Sequence, residues 1–589
     1  MKEFFKYVFA TVVGIVISTF VIAILFFVII VGSIASMGDE ETTVVKANTV
    51  LFLDLDQAIT ERTPENSLSG IPIFGGSSEK SIGFNDLAKA LKKAETDDNI
   101  ECVYINVTAP NAGMATMLEV RNAIIDFKKS KKPVIAYSEI YTQGAYYLAS
   151  AADKVYLNPQ GALEFKGFSS ELMFFKGALD KLGIEAQIIR VGDYKSAVEP
   201  FINTKMSDYN RKQVTAYVSG LYQTFLNGIA ETRKINKDSL FAIADAYKIR
   251  QPKDALTYKM VDGLKYKDEV LDEFRNITGK DKKSNLNTIS INDYAKNLPS
   301  ETSSGKDKVA VIYANGDIVG GEGSDEQIGS ERISRAIRKA RLDENVKAIV
   351  IRVNSGGGSA LASDVIWREV VLSKKIKPVI ASFGDVAASG GYYIGCAADS
   401  IFVQPNTITG SIGVFGIIPN FQNLLTNKLG VTFDGVKTGQ YADIMSVNRP
   451  LTAGERFIIQ NDVNHVYDTF LTRVADGRKK TKAQVDSVGG GHVWVGTDAV
   501  KIGLADRLGS FNDAVKSAAK KAKLKEYKVV EYPEKIDPFK AFFSNAKDNV
   551  STYFTKKELG EHYLIYKQMQ KAITNSGIQA RMDYEIKIK

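Results

Sequence analysis

The sequence predicts an α/β fold of parallel βαβ units, repeated as two tandem copies behind an N-terminal transmembrane helix. Three observations carry this: an uncharged apolar run from Tyr7 to Gly38, short β-rich runs alternating with amphipathic stretches, and self-similarity at a separation of about 246 positions. Each is taken in chain order below.

The apolar run is dominated by Val, Ile, Phe and Ala. At 1.5 Å per helical residue, about 20 such residues cross a hydrocarbon core roughly 30 Å thick. A cleaved signal peptide is the competing reading, with Ser33-Ile34-Ala35 before Ser36 as a small-x-small site. The run is about twice as long as a signal-peptide apolar region of 7 to 15 residues, which favours an uncleaved anchor. Lys2 and Lys6 precede it and Asp39, Glu40 and Glu41 follow it. The positive-inside rule therefore leaves the N-terminus in the cytoplasm and the remainder as one ectodomain on the outer face.

The repeat is read directly. Lys132-Pro133-Val134-Ile135-Ala136 recurs as Lys377-Pro378-Val379-Ile380-Ala381, and Gly144-Ala145-Tyr146-Tyr147 as Gly390-Gly391-Tyr392-Tyr393. Asp254-Ala255 through Leu264 likewise matches Asp498-Ala499 through Leu508. Within each copy, Ile100 to Val107 and Val346 to Val353 read as buried strands. Amphipathic helices at Asp86 to Glu95 and Ser334 to Leu342 precede them. Strand, helix, strand at this spacing means parallel βαβ units. The expected organisation is a cytoplasmic N-terminus 1–6, an anchor 7–37, a first repeat 47–280, a linker 281–306, a second repeat 307–533 and a tail 534–589. Residues 63–83, rich in Gly, Ser and Pro, read as an exposed loop, and the Lys-rich tail as a solvated amphipathic helix packing on its own domain or a neighbour.

Composition narrows the chemistry. With 589 residues, 44% hydrophobic and 24% charged, the chain is an ordinary globular one, which excludes disorder and fibrous repeats. A net charge of +8 without basic stripes argues against nucleic acid as a partner. Cys102 and Cys396, both in apolar surroundings, read as buried free thiols. His465, His492 and His562 are scattered without ligand spacing, so neither a metal site nor a histidine-based triad is expected. There is no Walker A or dinucleotide-binding motif, and no cofactor is expected.

Differences between the copies are the sharpest signal. Ser389 sits among small residues in Ala387-Ala388-Ser389-Gly390-Gly391, where the first copy has Gln143. About 35 residues earlier the second copy reads Asn354-Ser355-Gly356-Gly357-Gly358-Ser359, whose glycines let backbone N–H groups turn outward as in an oxyanion hole. The first copy has Thr108-Ala109-Pro110-Asn111-Ala112-Gly113, and proline removes a donor. The asymmetry then reverses: Lys195 of the first copy stands where the second has Ala442. A lone Ser in a glycine turn is ordinarily a turn residue and a lone Lys in a loop is ordinarily solvated. Complementary loss is what makes Ser389 a candidate nucleophile and Lys195 a candidate base.

The motifs Tyr194-Lys195-Ser196-Ala197-Val198-Glu199-Pro200, Ala388-Ser389-Gly390-Gly391-Tyr392-Tyr393 and Thr409-Gly410-Ser411-Ile412-Gly413 give the chain its resemblance to the long, duplicated, membrane-anchored form of the signal peptide peptidase A family, or protease IV. The resemblance implies a crotonase or Clp-protease-like α/β fold in each copy and a Ser-Lys dyad that hydrolyses peptide bonds. By position it implies Ser389 as nucleophile, Lys195 as general base, Ser411 as the hydroxyl holding the lysine amine, and Gly357 with Gly390 as oxyanion donors. The family has Ser-Pro-Gly-Gly where this chain has Ser355-Gly356-Gly357-Gly358, which leaves the loop donor open by one position. Phe165 stands opposite Ser411 in the first copy. The resemblance further implies remnant signal peptides as substrates at the periplasmic face of the bacterial inner membrane, and a homo-oligomer, a tetramer. A non-catalytic membrane-tethered scaffold and a crotonase-fold acyl-CoA enzyme are the alternatives.

A serine hydroxyl must lose its proton on attack, and a lysine can take it only when neutral. Moving a lysine from about 10.4 to about 7 disfavours its charged form by roughly 4 kcal/mol, which burial between the copies would supply.

Overall fold

The computed structural model describes residues 2–37, 44–64, 81–298, 306–534 and 577–582. Residues Lys2–Met37 form one helix. Its 20-residue stretch Glu3–Ile22 is long and apolar enough to cross a membrane, and none of it is buried among the described residues. Most of the stretch 63–83, and most of the tail after residue 534, lie outside the described residues.

Each copy builds a sheet in the same order, as two halves with one ancestral pattern of burial must. In the first, Gly263–Leu264, Lys154–Leu163, Val134–Tyr141, Ile100–Asn106, Thr49–Asp54 and Asn287–Ser290 lie side by side. All pair in parallel. In the second, Val379–Ala388, Val346–Ser355, Lys308–Asn315 and Lys528–Tyr532 repeat that order. Ser400–Val403 and Arg507–Leu508 repeat it beyond Val379–Ala388. The same strand also pairs with Ile408–Gly410. Residues such as Ala348, Ile349, Val350 and Ile351 are wholly buried, as expected of strands covered on both faces. The helices Phe84–Ala94 and Ser330–Leu342 begin slightly earlier than their apolar periodicity indicates.

The α/β class and the two tandem copies are as the sequence predicts. The stretch 281–306 is more than a connector. Asn287–Ser290 adds an edge strand to the first sheet and Ile291–Lys296 a short helix, because Ile289 and Ile291 find buried places there. That interval's polar average hides three core residues, Ile289, Ile291 and Tyr294.

The copies are locked together rather than strung on a linker. Arg352 of the second donates to Glu61 of the first at 2.8 Å, with side chains 1% and 5% exposed. Asp385 accepts from the N–H groups of Ala115 and Thr116, at 2.7 and 2.9 Å, at the start of the first copy's helix Met114–Phe127. Phe84 and Phe511 pack edge to face, centroids 5.6 Å apart. One apolar core runs through both copies at this seam.

A third sheet is shared. Gln327–Gly329, Asp317–Val319 and Gly357–Ser359 come from the second copy, then Gly577–Arg581 from the tail, Phe415–Asn420 from the second copy and Glu185–Arg190 from the first. The last two pair antiparallel from Phe415 opposite Arg190 to Asn420 opposite Glu185. That pairing carries the first copy's chain into the second copy. The helical expectation for the tail meets a strand in its one described stretch.

Candidate active site

Five residues beyond the strand Glu185–Arg190, the chain places Lys195 under the second copy. Its loop is fixed from several sides. The Tyr194 N–H donates to Gly490 O at 3.1 Å, Arg190 Nη1 donates to Lys195 O at 3.2 Å, and Gln213 Nε2 donates to Tyr194 O at 3.1 Å. Gly491, at φ +86°, lies so close that a Cβ there would stand 2.6 Å from Lys195 Cα; Gly413 leaves room for Lys195 Cδ. The lysine stem is held by backbone on two sides and its amine is delivered to one place.

There Lys195 Nζ lies 2.9 Å from Ser389 Oγ, 3.1 Å from Ser411 Oγ and 3.4 Å from Ser411 O. Lys195, Ser389 and Ser411 are 1%, 0% and 2% exposed. The Phe415 ring adds an apolar wall 5.7 Å from the amine. A charged amine buried here forgoes most of its hydration.

Ser389 ends the strand Val379–Ala388 and caps the short helix Gly390–Gly395 with φ 55° and ψ −116°. A left-handed φ on a residue with a Cβ costs about 1–3 kcal/mol and persists only where the surroundings impose it. They do: its N–H donates to Gly410 O at 2.8 Å, its carbonyl accepts from Tyr393 N–H at 2.8 Å, and a Cβ at Gly391 would collide with Ser355 O. The result is a hydroxyl held at a sharp turn. Ser411 has the same rare geometry, φ 50°, and its N–H donates to His492 O at 2.7 Å.

The glycine loop lies beside this pair. Gly357 has φ +103° and Gly358 φ +157°, conformations that side chains rarely adopt. The Gly357 N–H donates inward to Ser355 Oγ at 3.1 Å. Gly390 N lies 2.7 Å from where a Cβ on Gly357 would stand, so loop and helix start converge.

The first copy has filled the equivalent space. Gln143, at the position of Ser389, donates to Gly167 O at 2.9 Å and accepts from the N–H groups of Lys166 and Gly167, each at 3.1 Å. Phe165, opposite Ser411, is fully buried and stacks on Phe225 with centroids 6.0 Å apart. Ala442, opposite Lys195, is exposed.

Sequence reading missed the segment Gly490–His492, which grips the lysine loop. The run Gly489-Gly490-Gly491 was its only trace. His492 stacks on Trp494, centroids 4.0 Å apart, with Tyr194 tilted against its other side at 4.2 Å, and burial pushes its imidazole down to about 4. It stays neutral at pH 7, and its backbone oxygen accepts from Ser411 rather than from Ser389. The two cysteines are buried free thiols, each pushed up to about 12 chiefly by burial. No cluster of His, Cys, Asp and Glu among the described residues could hold a metal ion.

Known proteins resemble this chain over most of its length. The model of peptidase family S49 matches twice, at residues 126–280 and 372–525. "Protease 4" of Salmonella typhi is 38% identical over 529 residues, 87% of this chain and 85% of that one. "Serine protease SPPA, chloroplastic" of Arabidopsis thaliana is 29% identical over 92% of this chain and 78% of its own length. "Putative signal peptide peptidase SppA" of Enterococcus faecium is 36% identical and matches only 44% of this chain but 78% of its own.

Proposed function

This chain belongs to peptidase family S49 and is a serine peptidase of the long, duplicated form, and we propose that it works through a dyad of Ser389 and Lys195 drawn one from each copy. The observation that carries the reading is the 2.9 Å separation of Lys195 Nζ and Ser389 Oγ inside a buried site.

In this mechanism Lys195 takes the hydroxyl proton as Ser389 Oγ adds to the scissile carbonyl. Ser411 aims the amine through the 3.1 Å contact with its hydroxyl. The oxyanion is met by the N–H of Gly390 and by one from the glycine loop. Gly357 and Gly358 are the two candidates. Because the Gly357 N–H is engaged by Ser355, we assign the loop donor to Gly358, one position along from the expected Gly357. The lysine returns the proton to the leaving amine, then activates the water that releases the acyl group. Positioned acid-base catalysis of this kind contributes about 10² to 10⁴-fold.

We assign the substrates to apolar peptides near a bilayer, remnant signal peptides among them, because the helix Lys2–Met37 reads as an uncleaved anchor with the catalytic copies on the periplasmic side. The exposed apolar residues Leu429, Val431, Phe433 and Val436 support assembly into an oligomer through that surface.

Hydrolysis of a fluorogenic peptide by Ser389→Ala and Lys195→Ala, each checked for folding by circular dichroism, tests the dyad. Both should be inactive. Normal turnover by either variant would sink it. Extraction of the native protein by detergent but not by alkaline carbonate tests the anchor.

A further inference from the structure

We propose, building on the dyad, that Gln213 is a positioning residue for peptide hydrolysis: its side-chain amide ties the loop carrying Lys195 to a strand of the second copy, and so sets the amine on Ser389.

A lysine amine sits on a flexible four-carbon stem, so it is placed no better than the backbone from which the stem starts. That backbone must be fixed in itself and fixed relative to a serine on the other copy. Gln213 meets both needs with one group. It lies on the helix Asp208–Arg233 and is 1% exposed. Its Nε2 donates to Tyr194 O and to Ser196 Oγ, both at 3.1 Å, and so holds the residues on either side of Lys195. Its Oε1 accepts from the Val493 N–H of the second copy at 3.2 Å.

The strand Val493–Val495 leads straight to the two serines. Val493 pairs opposite Gly410, whose carbonyl accepts from the Ser389 N–H at 2.8 Å. His492, one residue earlier, accepts from the Ser411 N–H at 2.7 Å. The path from base loop to nucleophile therefore runs through one amide group and one strand pair.

The amide has one possible orientation. A backbone carbonyl only accepts and a backbone N–H only donates, so Tyr194 O and Val493 N–H decide which end of Gln213 faces which copy. The same orientation lets Nε2 donate to Asn210 Oδ1 at 3.3 Å. Asn210 Nδ2 in turn donates to Glu199 Oε2 at 3.0 Å, and Glu199 also accepts from the Ser207 N–H at 3.0 Å. Asn210 and Glu199 are both wholly buried. The clamp is backed by a polar network that belongs to the first copy.

The duplicated helix supplies the contrast. Ala453–Arg478 is also 26 residues long, and its cap Thr452 corresponds to Ser207. Counted from the caps, Ile458 stands where the first copy has Gln213, and Glu455 where it has Asn210. An isoleucine side chain has no hydrogen-bonding group, and Glu455 accepts instead from Arg449 Nη2 at 2.6 Å. The copy that lacks the lysine lacks the glutamine too.

The test is a double-mutant cycle on the full-length protein. It reads the rate of fluorophosphonate labelling at Ser389 in the wild type, Gln213→Ile, Lys195→Ala and the two combined, with kcat and KM for a fluorogenic peptide. Gln213→Ile should label at least about tenfold more slowly, toward the roughly hundredfold that a 1 Å misplacement costs. The same factor should appear in kcat, with KM within about twofold of the wild type. In the Lys195→Ala background the substitution should change labelling by less than about twofold, because a group that acts through the lysine has nothing left to place. Slowing by the full factor in both backgrounds would make Gln213 a support of the fold or of Ser389 itself, and would overturn the proposal. Wild-type labelling by Gln213→Ile would overturn it as well. If Gln213→Ile does not fold, Gln213→Glu carries the cycle with the same deciding outcomes, since it keeps the length and the acceptor for Val493 but offers Tyr194 O no N–H. Equal labelling of Lys195→Ala and the wild type is the separate failure that removes the dyad, and the proposal with it.

Discussion

The two copies share a sheet order and much of their sequence pattern, but they treat the same corner of the fold in opposite ways. In the second, the turn after Val379–Ala388 holds a strained serine with its hydroxyl facing a buried amine. In the first, the turn after Val134–Tyr141 holds Gln143, whose amide hydrogen-bonds to the backbone of Lys166 and Gly167, and Phe165 fills what is left. On the proposed dyad, one corner is organised around a reaction and the other around packing. The loop after Glu185–Arg190 shows the converse, delivering Lys195 where its counterpart leaves Ala442 at the surface. On the proposed dyad each half is specialised, and the shared sheet joins them.

The comparison can be broken most directly by moving chemistry between copies. Ala442→Lys in a Lys195→Ala background should restore nothing of a loss on the order of 10⁴-fold, because position 442 is exposed whereas Lys195 is buried beside the serine. Measurable rescue of peptide hydrolysis would mean the second copy can supply its own base. Gln143→Ala, which empties the packed corner, should leave kcat within about twofold while lowering the melting temperature, its lost hydrogen bonds costing about 1–3 kcal/mol.

The seam is the next place to press. Arg352→Met leaves Glu61 buried without its guanidinium, and a severed buried ion pair costs about 3–5 kcal/mol. Urea unfolding should show that loss. A change below about 1 kcal/mol would mean that the copies do not depend on this contact.

Smaller effects sharpen the site. Ser411→Ala removes one partner of the lysine amine and should lower kcat by roughly tenfold with KM little changed, since a hydrogen bond to a charged or reacting group is worth about 1.5–3 kcal/mol. A KM effect alone would reassign Ser411 to substrate binding. Acid should weaken the seam beside the dyad. His492 has a folded value of about 4 against an ordinary 6.5, so between those limits the unfolded chain binds more protons. Stability therefore falls as pH drops through that window and gains nothing from His492 above it. Thermal scans should show this fall, and a smaller one in His492→Gln. Activity should fall on acidification in both proteins, because a protonated lysine is no base. An acid limb that vanishes in His492→Gln would move the titrating group from Lys195 to the histidine.

Much of this was legible from residues alone. Apolar runs such as Ile100 to Val107 announce buried strands, and the mismatch of Ser389 with Gln143 and of Ala442 with Lys195 announces a divided site. What stayed hidden depends on contacts between distant segments. Nothing local marks Glu185–Arg190 as the partner of Phe415–Asn420, yet that pairing is what brings Lys195 to Ser389. Gly490 and Gly491 read as a loop until their closeness to Lys195 is seen. Gly577–Arg581 is too short and too mixed to predict as a strand, and becomes one only between two edges that the rest of the fold supplies. Asn287–Ser290 escaped for the same reason, its one core residue, Ile289, diluted by polar neighbours.

The central claim is that a serine of one copy is activated by a lysine of the other. It is tested most directly by reacting the full-length protein with a fluorophosphonate at neutral pH, locating the adduct by peptide mass spectrometry, and repeating the reaction on Lys195→Ala. One adduct per chain, on Ser389, formed rapidly in the wild type and at least about a hundredfold more slowly without the lysine, is the predicted result. An adduct on another serine, or equal rates with and without Lys195, would contradict it.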